Sequence, residues 1–318
     1  MTKVDVNELD IFYISYDEPN CEKHWADLLN KVPWAKRVHG VKGFDAAHKA
    51  CAMQSETERF ITVDGDNVVM DDFFEQTLDF PSTDRDGHSI SESIFSWNAK
   101  NLLNGLVYGN GGLKCWPTEY TKTIQTHESS DDEEGMEFCW KLNYIQLNDI
   151  YSEIHQTASP FQAFRSGFRE GVKMSLDQGK RVNPDKFKER IWYGNYNRLQ
   201  TWCNIGSDVE NGLWAIYGAR LGAHNAILDL DFVTNQIADY EWFKTYFVEQ
   251  QNLLEGKDLY EEACTLGRTL NEKVNSMMLF DPDENVSRFF KQTYTNPRRW
   301  GSMVSEKQIL DLLENGML

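Results

Sequence analysis

The chain has 318 residues, and its 32 basic side chains against 50 acidic ones give a formal charge of −18 at pH 7. Apolar residues make up 41% and aromatics 13%, which excludes a disordered, collagen-like or coiled-coil chain. At about 150 residues per domain, the length suits one large domain or two ordinary ones. No apolar run approaches the ~18 residues of a membrane span, and the first ten residues are polar and acidic, so neither a membrane segment nor a leader is expected. Six cysteines without a C-x-x-C pair suggest reduced thiols in a soluble, cytoplasmic protein rather than a zinc clip or a disulfide framework.

Residues 9–16 form a short β-rich run ending in the turn signal Asp17-Glu18-Pro19-Asn20. Asn20 is placed to cap a helix through Leu29, Pro33 closes that segment, and 37–41 predicts a second strand. Residues 44–53 predict a helix with Ala46, Ala47, Ala50 and Cys51 on one side. A third strand, 59–63, runs straight into Asp64-Gly65-Asp66-Asn67. This β-α-β-α-β order predicts a parallel sheet covered by helices, which places ligands at the carboxyl ends of its strands.

From Pro160 the periodicity turns helical. Phe161, Phe164, Phe168 and Val172 make one core-facing stripe, and helices are expected over 184–200, 208–228, 237–254 and 259–278. Ser305-Glu306-Lys307-Gln308 resembles a capping box before a last short helix. The expected fold is thus α/β, a Rossmann-like mixed sheet flanked by helices over 1–159, with a mostly helical region over 160–318. The acidic stretch 128–137 is most simply a solvated loop.

Asp-x-Asp occurs four times, at Asp64/Asp66, Asp84/Asp86, Asp229/Asp231 and Asp281/Asp283. Only the first follows an apolar strand with a glycine between its acids, where two carboxylates can converge and Gly65 lets main chain approach a ligand. Two hard oxygen donors suit Mn²⁺ or Mg²⁺, which keep waters and draw further ligands from a diphosphate. Asp229/Asp231 continues a helical pattern and is expected on a helix surface.

Strand, helix, strand, helix and then FITVDGDN resembles the nucleotide-binding half of GT-A-type glycosyltransferases, over about residues 9–155. The resemblance implies that Asp64 and Asp66 hold the metal against a nucleotide-sugar diphosphate. It also implies that Ser15, Tyr16 and Asp17, with Asp45, meet the base and ribose. Tyr108-Gly109-Asn110-Gly111-Gly112-Leu113 resembles the family's glycine-rich turn at the sugar, with Gly111 and Gly112 facing it; a loose hairpin is the plainer alternative. In inverting members an acidic loop follows and supplies a base. Here Asp131 to Glu134 stand in that place, with Asp132 and Glu133 the candidates. A later histidine often joins the metal in this family; of His127 and His155, the second is preferred.

Charge is segregated. Residues 31–49 carry five basic side chains against Asp45, so Arg37, Lys42 or Lys49 can face a diphosphate. Residues 173–198 hold seven basic side chains (Lys173, Lys180, Arg181, Lys186, Lys188, Arg190, Arg198) against three acids. Residues 287–300 hold four and none. Both are interleaved with aromatics, Phe187, Trp192, Tyr193 and Tyr196, then Phe289, Phe290, Tyr294 and Trp300, as suits phosphate tracking and base stacking. Amphipathic helices with solvated lysines are the plainer reading.

The motif style, including SYDEPN and YGNGGLKCW, resembles tailed-phage glycosyltransferases, some of which put glucose or arabinose on hydroxymethylated pyrimidines of their own DNA. Two rival functions remain. A sugar-phosphate nucleotidyltransferase also places carboxylates at a strand end, but needs a glycine-rich basic loop where this chain has DEPNCEKHW. The other is a non-enzymatic module that binds a sugar nucleotide or carbohydrate.

Overall fold

The computed structural model describes residues 2–80, 82–83, 87, 89–108, 112–126, 142–274 and 276–295. These fall into two compact units, the first reaching His155 and the second starting at Gln156, with Leu102–Leu106 belonging to the second. Among the described residues, no helix is long and apolar enough to cross a membrane.

The first unit runs β1 (Thr2–Asp5), β2 (Asp10–Ser15), α1 (Cys21–Lys31), β3 (Lys36–His39), α2 (Phe44–Gln54), β4 (Arg59–Asp64), β5 (Asn67–Val69) and β6 (Thr77–Phe80). It continues with β7 (Ile94–Asn101), β8 (Val107–Tyr108), β9 (Leu113–Pro117), α3 (Thr118–Thr121) and β10 (Tyr144–Ile154). The main sheet has the order β3-β2-β4-β9-β7-β10-β5, with β8 beside β7; β1 and β6 pair separately. The strands β3, β2 and β4 are mutually parallel, β9 runs against both β4 and β7, and β10 runs parallel to β7. The carboxyl ends of β2, β3, β4 and β10 therefore share one edge.

Alternate residues of β2 and β4 serve opposite faces, as the period of two requires. Ile11, Tyr13, Ile61 and Val63 join Leu28 of α1 in one core, while Phe12 and Phe60 join Cys51 and Ala52 of α2 in the other. With a helix on each face, both sides of these strands are apolar, and this is why they read as continuous runs. Asn20 departs from expectation. It precedes α1 but caps nothing with its side chain; its Nδ2 donates instead to the His155 carbonyl at 3.0 Å.

The second unit comprises α4 (Pro160–Met174), α5 (Phe187–Arg190), α6 (Tyr193–Asn204), α7 (Gly212–Leu228), α8 (Tyr240–Leu253), α9 (Leu259–Lys273) and α10 (Glu284–Tyr294). Ser159 caps α4 by accepting from the Gln162 amide at 3.1 Å, with Pro160 in the first turn. Phe164, Phe168 and Val172 are fully buried. Gly167 and Gly171 lie against the carbonyls of Ala215 and Ala219, while Gly218 and Gly222 lie against those of Phe164 and Phe168. Glycines four apart on both helices let the α4 and α7 main chains touch. Arg220, fully buried on α7, donates to the carbonyls of Cys203 and Ala263 at 2.7 Å each and of Phe280 at 2.5 Å.

Two expectations here are corrected. Residues 184–200 do not make one helix: a 3-10 turn over Pro184–Lys186 and the short α5 end at Ile191, where extended main chain precedes α6. Asp229 and Asp231 lie beyond the end of α7, with Asp229 Oδ1 accepting the Asp231 amide at 3.0 Å. Asp283 caps α10 through the Val286 amide at 2.9 Å, so two of the four Asp-x-Asp pairs are local turn and cap chemistry.

Candidate active site

The shared edge carries one cluster, built around the turn at Gly65. Asp64 is the last residue of β4, and Asn67 opens β5, whose register against β10 sets Asn67 opposite Ile154. Residue 155 is thereby brought beside the turn, and the His155 amide donates to the Asp66 carbonyl at 2.8 Å. From below, the Tyr13 hydroxyl donates to the Gly65 carbonyl at 2.7 Å, and His24 Nδ1 lies 3.1 Å from the same oxygen. A carbonyl only accepts, so His24 carries its proton on Nδ1 there. Burial, opposed by that bond, holds the His24 imidazole below its usual range.

Asp64 and Asp66 flank the turn, and the charges of Asp66 and of Glu18, which the sequence reading did not single out, both act on Asp64. Asp66 Oδ1 accepts from Asn67 Nδ2 at 2.7 Å, and Asn67, itself buried, accepts from Ser152 Oγ at 3.2 Å. Glu18 folds back so that its Oε2 accepts the Tyr16 amide at 2.8 Å, and the same oxygen would stand 2.7 Å from a Cβ at residue 65. Burial pushes the Asp64 carboxyl up to about 6; Lys114 pulls against the rise, while Asp66 and Glu18 add to it. With 40% of the Asp64 side chain still meeting solvent, the protein crowds this carboxyl without sealing it off. Lys114, 3% exposed, holds its Nζ 3.9 Å from Asp64 Oδ2. A buried ammonium beside a crowded carboxylate is a fixed positive charge in a site of negative ones.

The two described glycines of the site make room for its side chains. At Gly65 a Cβ would meet Glu18. At Gly112 it would lie 2.5 Å from both Asp64 Cβ and Asn67 Nδ2, and the Gly112 carbonyl accepts the Asp64 amide at 2.9 Å.

Other expected contacts are engaged elsewhere. Arg37 forms a two-pronged pair with Glu22, at 2.6 and 3.0 Å, and donates through Nε to Ser15 Oγ at 3.0 Å, so its guanidinium braces the strand edge. Ser15 is buried, with its hydroxyl 2.9 Å from His39 Nδ1. Asp45 is also buried and accepts the Thr126 amide at 2.9 Å and hydroxyl at 2.5 Å, which ties α2 to the end of the α3 segment instead of presenting a ribose acceptor. Lys31 and Lys36 are paired with Asp27 and Asp10. Tyr16 is half-buried and Asp17 exposed just after β2; Lys42 is exposed and Lys49 half-buried. His155 packs its ring edge-on against His24 at 4.9 Å, with Nε2 3.8 Å from Glu153 Oε2. Gly111, His127, Asp132 and Glu133 lie outside the described residues.

Among the described residues, no three His, Cys, Asp or Glu side chains gather closely enough to enclose a metal ion. Asp64 and Asp66 are two hard oxygen donors, the ligand type of Mg²⁺ and Mn²⁺, ions that commonly keep several waters. Lys114 had a sequence signal: it is the one charged residue in the strand LKCWP. Glu18 had none beyond its place in a turn after a strand. No protein-family model, curated protein or solved structure matches this chain.

Proposed function

We propose that the chain is a metal-dependent glycosyltransferase, moving a sugar from a nucleotide diphosphate donor, in the first instance a UDP-sugar, to a hydroxyl. The observation that supports this reading is the placement of Asp64, Asp66 and Glu18 around one turn on the carboxyl edge of parallel strands, with the Lys114 ammonium 3.9 Å from Asp64. Asp64 and Asp66 would hold Mn²⁺ or Mg²⁺, which when bound offsets the charge developing on the departing diphosphate. Asn67 fixes the Asp66 carboxylate, Gly112 sets the position of Asp64, and Tyr13 and His24 pin the Gly65 carbonyl beneath them. The acceptor oxygen attacks the anomeric carbon through an oxocarbenium-like state as the bond to the diphosphate breaks. Its proton passes to a base if configuration inverts, and Asp132 and Glu133 are the residues proposed for that. The acceptor proposed is a hydroxymethylated pyrimidine in DNA, in keeping with basic stretches in an otherwise acidic chain.

The test supplies Mn²⁺, a panel of radiolabelled UDP-sugars, and hydroxymethylcytosine DNA beside plain DNA. Label is expected on the modified DNA alone. The Asp66→Ala protein, its fold checked by circular dichroism, is expected to transfer nothing. UDP release with no label on either DNA would remove the DNA acceptor and leave the transferase; binding of UDP-sugars without any UDP release would remove the enzyme.

A further inference from the structure

The basic stretch in the second unit is sorted by the structure into buried and exposed parts. Lys173 pairs with Glu170 at 2.8 Å, and Arg181 donates to the carbonyls of Asn225, Ala226 and Phe232, bracing the end of α7. Phe187 and Tyr196 are buried. In the stretch 287–300, Lys291 is likewise spent, on Asp208 at 2.8 Å; residues 296–300 lie outside the described part. Among the described residues, what remains at the surface is Lys180, Lys186, Lys188 and Arg190, interleaved with the exposed acids Asp185 and Glu189, and Arg288 in the other stretch; Trp192 and Tyr193, 50% and 59% exposed, stand at the start of α6.

The two rings are placed rather than loose. The Trp192 indole lies across Gly194, where a Cβ would collide with its six-membered ring. The Arg198 guanidinium stands 5.3 Å from the Trp192 ring, and the Tyr193 ring meets it at 5.4 Å, inclined by 63°. Next to them Lys180, Asn183, Lys186 and Arg190 line a surface hollow of about 480 Å³, which also contains Asp177, 3.6 Å from Arg190. A half-open indole held over a glycine, beside cations, matches a strand that has both phosphates and unstacked bases. A neutral glycan would use the rings and ignore the cations.

We propose that this ledge binds a nucleic-acid strand, with Trp192 stacking an unpaired base and Lys186, Lys188 and Arg190 meeting the phosphates. As the docking surface for the acceptor polymer it rests on the DNA reading above, but the contact is argued from the second unit alone.

The test measures anisotropy of a fluorescein-labelled 20-mer of thymidine, and of a 20-base-pair duplex, with the full chain between 50 and 200 mM NaCl. The single strand is expected to bind more tightly, with a slope of log K against log salt near −2, from three phosphate contacts at about 0.7 each. Trp192→Ala is expected to lose roughly 5- to 150-fold in affinity at unchanged slope, the range for a base-stacking ring. Replacing Lys186, Lys188 and Arg190 together by Ala is expected to flatten the slope by about 2. Gly194→Ala favours the helix yet displaces the indole, so it is expected to weaken binding without lowering the melting temperature. No binding by the wild-type chain at 50 mM salt, or equal binding by all variants, overturns the proposal. UDP release is followed in parallel on the wild-type chain: strand binding without UDP release keeps the ledge and removes the transferase, and the converse removes only the ledge.

Discussion

Adding one methyl group at residue 112 perturbs the carboxylate turn without removing any of its acids. A Cβ there would lie 2.5 Å from Asp64 Cβ and Asn67 Nδ2 and 2.8 Å from Asp64 Cγ, where ordinary contact needs about 3.5 Å. Relief of about 1 Å is therefore required, and neither neighbour gives easily. The Asp64 amide is bonded to the Gly112 carbonyl, and buried Asn67 is bonded to Asp66 and Ser152. Overpacking of this kind costs about 1–3 kcal/mol, and a 1 Å error at a reacting centre costs on the order of 100-fold in rate. Gly65→Ala is the milder comparison. Its nearest contact, at 2.7 Å, is the end of the Glu18 side chain, which can turn away at the loss of its bond to the Tyr16 amide, and the main-chain oxygen of Ile14 lies at 3.2 Å, a few tenths of an ångström too close. Urea unfolding and Mn²⁺ titration calorimetry are expected to show Gly112→Ala less stable and weaker for the metal, with Gly65→Ala closer to wild type in stability. Wild-type stability and Mn²⁺ affinity in Gly112→Ala would refute the claim that this contact positions Asp64.

Mn²⁺ binding is expected to weaken as pH falls through about 6, where protons compete for the Asp64 carboxyl. Lys114→Met removes the charge that opposes that rise, so calorimetry at stepped pH is expected to find the loss at higher pH. The linked stability runs opposite to that of a salt-bridged carboxylate: the native carboxyl holds its proton from 3.8 up to about 6 while the unfolded one does not, so this group's contribution to stability declines as pH rises across that window. Arg220→Met leaves the carbonyls of Cys203, Ala263 and Phe280, the first two buried, without this donor and is expected to cost about 1–3 kcal/mol or more in urea unfolding, the range for buried polar groups left unsatisfied; a loss below about 0.5 kcal/mol would count against a structural role for this arginine.

The parallel strands were legible because both of their faces are apolar, so FITV before Asp64 stands out in any window. The Asp64/Asp66 turn was legible for the same reason: two acids that close a buried apolar run are set at a sheet end, where solvated surface acids rarely fall. Glu18 was not, since its part depends on β2 and β4 ending side by side, a register no local pattern states. The pairing of Arg37 was hidden for a related cause. Its local charge excess was real, but its pairing with Glu22 arises only when β3 returns beside α1. The break between α5 and α6 was hidden because the aromatic spacing of 184–200 fits one helix, while the structure needs Phe187 and Tyr196 inward and Trp192 and Tyr193 outward. Gly167, Gly171, Gly218 and Gly222 were in plain view, yet their partners lie about fifty residues apart in the chain.

That glycine seam has a mechanical consequence. Where backbone rests on backbone, no layer of adaptable side chains exists to absorb a shift, so α4 and α7 have one permitted spacing and one permitted stagger. Any rearrangement of the helical unit on meeting a ligand must bend around this pair, through the irregular stretch between α4 and α6 that carries the Trp192 ledge, and leave the pair itself as the fixed frame against which that movement is measured.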